Sequence, residues 1–339
     1  MGTRRTGFTL IELLVATALM AIVVMYLMQA FTVQHRTYTV VENVSEAQNN
    51  SRAIAGLMEA DLRAAGFMVP EGAAVCGLDA TGTPDTIYVS ASDLLDPSGV
   101  DDPDVALALT ATTGGFVTGT SGASLSLANS IIPDGDAGFF DTDADGTMDS
   151  DFALGMGVIV VDTSTPSRGA ACGRITTLTP STPVPGSALV LGVTWESQMA
   201  TGTGVAFRAV PAHVYDVDTT ALTLRRDGVV LATDVEDLQV SYFFDNNDNG
   251  LLAANRAEEP GTASPGTTYD SDAWQGRFLR EIRLNFVVRS RGEDPNKSFN
   301  EGRFQAAENR VGPTTADGFR RRLHRAIVRT RNVGFRDLT

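Results

Sequence analysis

The sequence predicts an α+β fold. One long N-terminal helix, with a membrane half and an amphipathic half, packs on an antiparallel β-sheet head with large loop insertions. Three observations predict it. An apolar run holds no charged residue between Glu12 and Arg36. From Val41 to Ala65 the apolar residues recur at helical spacing. After Phe67 the pattern changes to short, alternating, β-rich segments separated by turn residues.

The helix comes first in the chain. Its opening residues are Gly7-Phe8-Thr9-Leu10-Ile11-Glu12-Leu13-Leu14-Val15, preceded by Arg4 and Arg5. Roughly 20 apolar helical residues span a ~30 Å hydrocarbon core. A carboxylate at the mouth of such a helix is penalised by lipid, so it usually has a functional partner. Beyond Arg36, the positions Val41, Val44, Ala47, Ile54, Met58, Leu62 and Ala65 form one face, and Glu59 precedes Arg63 by four in the favourable order. Gly66 fits the position just past the helix end, and Pro70 follows it. A continuous helix from Phe8 to Ala65 is ~87 Å long at 1.5 Å per residue. Its first half is apolar all round and needs lipid or other helices. Its second half is amphipathic and needs a sheet to lie on.

The strands follow. Thr86–Val89 and Val158–Val161 are β-rich runs, and between them a Gly/Ser/Thr/Asp-rich stretch from about Asp93 to Gly146 reads as surface loops with one or two weak strands. Leu222–Arg225 and Val229–Leu231 flank Asp227-Gly228, a hairpin signal. Every second residue is apolar in Leu238, Val240, Tyr242, Phe244 and again in Ile282, Leu284, Phe286, Val288; Ala326–Val328 begins a last short strand. Trp195 and Trp274 read as packing residues.

At 339 residues the chain has ample length for a sizeable core outside the membrane segment. Its net charge of −15 argues against nucleic acid as a partner. The arginines gather at the C-terminal end, at Arg303, Arg310, Arg320, Arg321, Arg322, Arg325, Arg329, Arg331 and Arg336, whereas Lys297 is the single lysine. That run reads as a solvated or ion-paired strand face, with a docking surface for acidic neighbours as the alternative. The positive inner flank puts the rest of the chain outside the cytoplasm. There the two cysteines, Cys76 and Cys172, read as one disulfide, against two reduced, buried small residues.

The opening stretch resembles the N-terminus of type IV pilins and pseudopilins. A secretory signal peptide has a shorter apolar core and an A-x-A-like cut. A plain anchor explains neither Glu12 nor Gly7 placed directly before Phe8. The resemblance implies cleavage by a prepilin peptidase between Gly7 and Phe8, N-methylation of Phe8, and Glu12 as the fifth mature residue. It also implies that Glu12 pairs with the free amine of a neighbouring subunit during assembly; a snorkelling carboxylate is the bland alternative. Further along, Leu57–Phe67, Val235–Tyr242, Trp274, the strand through Phe286, Arg289-Ser290-Arg291 and Arg329–Asn332 resemble, in that order, the PilW-type minor pilin family.

That resemblance divides the chain into a prepilin leader (1–7), a transmembrane and filament-core helix (8–35), an amphipathic helix (36–67) and an exported β-rich head (68–339). It implies a single-pass protein of the bacterial inner membrane with a periplasmic head, later at the pilus or cell surface. Its partners are the peptidase and other pilins and minor pilins, met through the N-terminal helix. The function it implies is pilus assembly, priming or tip display. A minor pseudopilin of a type II secretion system shares every N-terminal feature, and a membrane-anchored calcium-dependent adhesin is the rival of another class.

Two loops have cation-loop spacing. Asp141, Asp143, Asp145, Gly146 and Thr147 follow D-x-D-x-D-G, whose alternate carboxylates and carbonyl can converge on Ca2+. Position twelve is Phe152 rather than Glu, so Asp149 or Asp151 would close the shell. Asp245, Asn247 and Asn249 repeat the spacing with less charge, and a β-turn is the stronger reading there. His35, His213 and His324 are scattered, and no nucleophile or phosphate-loop motif accompanies them, so the reading is not an enzyme.

Overall fold

The computed structural model describes residues 9–67, 69–70, 72–78, 82–91, 107–108, 123–127, 139–140, 149–150, 152–164, 169–179, 189–197, 207–244, 276–293, 307, 310 and 317–330. One helix, α1 (Leu10–Ala64), is unbroken for 55 residues, which is ~82 Å. It is followed by β1 (Val75–Leu78), β2 (Thr86–Ser90), β3 (Leu107–Ala108), β4 (Ala123–Leu127), β5 (Phe139–Phe140), β6 (Asp149–Ser150), β7 (Gly157–Asp162) and β8 (Ala170–Thr179). Then come β9 (Leu189–Trp195), β10 (Phe207–Asp218), β11 (Thr223–Arg226), β12 (Val229–Thr233), β13 (Val235–Phe244), β14 (Leu279–Arg289) and β15 (Arg321–Arg329). Every strand pairing is antiparallel.

Helix α1 stops where its sequence changes. Ala65 is the C-cap, and Gly66 takes φ 83°, a conformation only glycine adopts without strain. Ala47, Ser51, Ile54, Ala55, Met58 and Leu62 form the buried stripe. It lies chiefly on β14 and β15 and touches β12. Val41 departs from the expected face: it is exposed, so the stripe begins one turn later than its spacing implies.

The head holds two principal sheets rather than one. The sheet under the helix has the order β13-β14-β15. Its last strand is longer than Ala326–Val328 suggests, because Arg321–Arg325 extend it and pair with Arg289–Asn285. The larger sheet has ten strands, with a main path β1-β2-β10-β7-β8-β9-β4. Strands β3 and β11 add to β10, and β12 adds to β11. The Asp227-Gly228 turn has φ 55° and 81°, the two positive values a type I′ hairpin requires.

Strand β10 contains Pro211, which a paired central strand tolerates only where no N–H is needed. The Pro211 carbonyl accepts from the Ala91 N–H, just beyond the last register pair with β2 at Ser90–Ala212. The proline ring nitrogen therefore falls where the ladder with β2 has ended.

The large sheet is strongly curled. Strands β1 and β8 are separated by β2, β10 and β7. In a flat sheet four steps of ~4.8 Å would set them ~19 Å apart. Yet Cys76 in β1 and Cys172 in β8 form a disulfide, with their Cα atoms 6.2 Å apart. Both cysteines are fully buried, and the Ser197 Oγ lies 3.1 Å from each sulfur.

The two sheets join where Gly77 meets Tyr242. A Cβ at Gly77 would lie 2.0 Å from the tyrosine Oη, so only glycine lets the ring lie there. Asp85 closes the outer edge of β13: its N–H donates to the Leu238 carbonyl (2.8 Å) and its Oδ2 accepts from the Val240 N–H (2.7 Å). Buried Asp237 is held by Arg310 at 2.6 Å, and burial still pushes its carboxyl above the ordinary range.

Candidate functional site: the exposed half-helix and its hold on the head

From Leu10 to Tyr38 the large apolar side chains are exposed on every side of α1, from 43% at Val24 to 79% at Leu10. Among the described residues this is the one helix long and apolar enough to cross a membrane. Its threonine hydroxyls are satisfied within the segment. The hydroxyls of Thr17, Thr32, Thr37 and Thr39 donate to carbonyls one turn back, at Leu13, Met28, Val33 and His35. Such a surface can enter hydrocarbon or a bundle of like helices without leaving those threonine hydroxyls unpaired.

Glu12 stands at the N-terminus of this surface. Thr9 is the N-cap, and the pair makes a reciprocal capping box. The Thr9 N–H and the Thr9 hydroxyl both donate to Glu12 Oε2 at 2.9 Å, and the Glu12 N–H donates to Thr9 Oγ1 at 3.4 Å. The T-x-x-E spacing that signals such a box is present at Thr9–Glu12. The box folds the carboxylate back against the first turn, beside the helix N-terminus. There one carboxylate oxygen, Oε2, is fixed by both Thr9 donors.

The other end of α1 is locked to the large sheet. The Tyr215 hydroxyl donates to Asp61 Oδ2, and the Arg226 guanidinium lies 3.2 Å from the same oxygen. Burial first, and then the adjacent Asp61 carboxylate, push the Tyr215 hydroxyl far above its ordinary range, so it stays a donor. Next to it His213 Nδ1 lies 2.6 Å from Asp227 Oδ2, and the Val214 N–H donates to Asp227 Oδ1. Nearer the exposed apolar half, Arg291 reaches Glu46 at 3.5 Å. Sequence reading missed this lock, because Asp61 and Tyr215 are 154 positions apart and neither carries a local signal of the other. Asp61→Ala is expected to cost about 1–3 kcal/mol by stranding Tyr215 and Arg226, read as a lower urea midpoint of the isolated full chain with unchanged slope.

The C-terminal arginines divide. Arg321 is nearly buried and forks to Glu236 (2.6 and 2.9 Å) and Asp317 (2.6 Å twice). Its hydrogen bonds hold the Asp317 carboxyl below the ordinary range. Arg325 donates to Asn285 Oδ1, while Arg329 is 84% exposed and only reaches Glu281 at 3.4 Å.

Other sequence-predicted positions fall elsewhere. Gly7, Phe8 and Trp274 lie outside the described residues, as do Asp141, Asp143, Asp145, Thr147, Asp151, Asp245, Asn247 and Asn249. Asp149 belongs to β6, where it pairs with Phe140 of β5, so the Asp-rich segment connects two paired strands. Among the described residues no three His, Cys, Asp or Glu side chains gather in a metal-holding group.

Residues 2–28 match the family model described as the prokaryotic N-terminal methylation motif. No curated protein matches the sequence. A solved type IV-like pilin from Thermus thermophilus is 16% identical, with 53% of this chain and 86% of that chain covered, at a TM-score of 0.21. The chain thus carries a prokaryotic N-terminal methylation motif at the start of its long apolar helix, ahead of an antiparallel β head.

Proposed function

We propose that the protein is a minor pilin of a type IV pilus, of the PilW type. It is made as a single-pass inner-membrane protein, cut after Gly7, methylated on Phe8 and then inserted into a filament. One observation carries the reading: behind the methylation motif, α1 leaves its first half exposed and apolar while its second half is locked into the head. Such a helix offers one continuous hydrophobic surface first to lipid and then to neighbouring helices. Glu12 is the register element. An unpaired carboxylate in that apolar setting is strongly penalised, so subunits settle where a neighbour's amine meets it. The action is binding, not catalysis.

The test is processing. Mass spectrometry of the mature protein is expected to find methylated Phe8 at the N-terminus, dependent on the prepilin peptidase, and the protein in sheared pili. An intact leader in the mature protein overturns the reading. Recovery with secretion-system filaments instead of pili favours the pseudopilin reading.

The Asp141–Asp151 segment is proposed to take Ca2+ with modest affinity, in the ~10⁻⁴ to 10⁻³ M range of extracellular modules. Binding at ten to a hundred times that constant stabilises by about 1–3 kcal/mol. The head is expected to melt higher in millimolar calcium than in chelator, with Asp143→Ala removing most of the difference. An unchanged melting temperature leaves a solvated turn.

A further inference from the structure

The Cys76–Cys172 bridge joins two cysteines that are held differently. Ser197, two residues past β9, is fastened to the Cys172 backbone. The Cys172 N–H donates to Ser197 Oγ (2.9 Å), and the Cys172 carbonyl accepts from the N–H groups of Glu196 (2.9 Å) and Ser197 (3.1 Å). With its oxygen taken by that N–H, the Ser197 hydroxyl has one proton to donate, and the two sulfurs lie 3.1 Å away. None of the three backbone bonds involves Cys76. Strands β8 and β9 are paired neighbours, and Ser197 is 25 positions from Cys172, against 96 for Cys76. The shorter loop closes at the smaller entropy cost. Pairing of β8 with β9 therefore sets the serine beside Cys172 without help from β1.

We propose that Ser197 primes Cys172 for thiol–disulfide exchange, so that Cys172 takes up an external disulfide and Cys76 resolves it. Ser197 is a positioning residue in this chemistry. The thiolate is the nucleophile, and a hydroxyl that donates to sulfur favours the thiolate over the thiol. In the first step the Cys172 thiolate attacks one sulfur of an oxidant disulfide. A mixed disulfide forms and one thiolate leaves. In the second step the Cys76 thiolate attacks Cys172 Sγ, the mixed bond breaks and the second thiolate leaves. The two protein thiols lose two protons and two electrons, and the oxidant becomes two thiols. Both cysteines are fully buried in the closed bridge, so an oxidant reaches Cys172 only before β1 packs in place. The proposal goes beyond the filament reading and does not depend on it.

Charged and titratable side chains surround the bridge. The strand register puts Tyr88 of β2, Arg174 of β8, and Arg208 and Asp216 of β10 on the face that carries the two cysteines. Arg174 meets Asp216 at 3.3 Å. Glu196 lies beside Tyr88 and Arg174, and burial holds its carboxyl above the ordinary range. Strand β7 adds Gly157, Ile159 and Val161, which do not titrate. The Ser197 hydroxyl bonds to none of the charged groups; its partners are the Cys172 N–H and the two sulfurs. Ser197→Ala therefore removes the hydroxyl and leaves the surrounding charges in place.

The test uses the full chain in detergent, reduced in urea, returned to native buffer with glutathione disulfide, quenched with acid and mapped by mass spectrometry. In the wild-type chain the glutathione adduct is expected on Cys172. An adduct on Cys76, or equally on both, overturns the proposal. Single-cysteine chains give the rates: Cys76→Ala leaves Cys172 to react, and Cys172→Ala leaves Cys76. A thiol one unit more acidic exchanges roughly threefold faster near pH 7. Cys172 is expected to outpace Cys76 by about that factor, and Ser197→Ala to remove the lead and move the Cys172 rate profile toward higher pH. A Cys172 rate and profile that ignore Ser197→Ala overturn the role of the serine. Equal slowing of Cys76 by the same substitution also overturns it, because a merely structural effect slows both. The wild-type mapping needs no substituted chain, so it decides the assignment even where a variant fails to fold.

Discussion

Replacing Cys76 and Cys172 together by alanine is expected to lower the stability of the head by about 4–5 kcal/mol, and its melting temperature by roughly 10 °C. The bridge closes a sequence separation of 96 residues, and a loop that long has much entropy to lose. It also ties β1 to a strand four places along the sheet path. Without it, the curl of the large sheet is held by packing of Tyr88, Ile159 and their neighbours alone. Circular dichroism melts of the full chain with and without reductant measure the effect. A loss of less than ~1 kcal/mol would assign the curl to the core and not to the bridge.

The second large effect is expected at Glu12. Glu12→Ala should leave the chain inserted and processed, yet nearly abolish its recovery in sheared filaments. The head is untouched, because among the described residues the hydrogen bonds of Glu12 go to Thr9. Loss of the cap itself costs about 1 kcal/mol of local helix stability, too little to unfold a helix 55 residues long. On the proposed register role, what disappears is the penalty that forbids wrong registers. Glu12→Gln separates the two roles, since the amide oxygen keeps the Thr9 hydrogen bonds but carries no charge. Recovery of either variant at the wild-type level would refute the register role.

Much of this was legible from residues. The helix and its stop at Gly66 were, because apolar spacing and a positive-φ glycine are local signals. The β11–β12 hairpin was too, because Asp227-Gly228 suits a two-residue turn. Alternation disclosed β13 and β14, although the polar residues between their apolar ones, Asp237, Gln239, Ser241 and Asn285, are buried. Strands β1, β8 and β10 were not visible. They lie inside the curled sheet, where both faces are crowded; small residues such as Ala170, Ala171 and Gly173 replace alternation, and Pro211 reads as a break. Strand β15 was half hidden because its first residues are arginines, whose forks to Glu236 and Asp317 depend on partners far away in sequence. Asp61 gave no local sign that Tyr215, 154 positions later, would bond to it.

The lock at Asp61 also has a mechanical side. Tension applied to the membrane half of α1 runs up a single unbroken helix and must leave it through side-chain contacts with the head. Those contacts are arranged along the helix axis, from Glu46–Arg291 through buried Ile54, Met58 and Leu62 to Asp61 with Tyr215 and Arg226. A pull along the axis therefore shears them together instead of peeling them one after another. The load is shared, and the head comes away from its helix only when the whole seam slips, an event set by an unfolding rate rather than by the strength of any one bond.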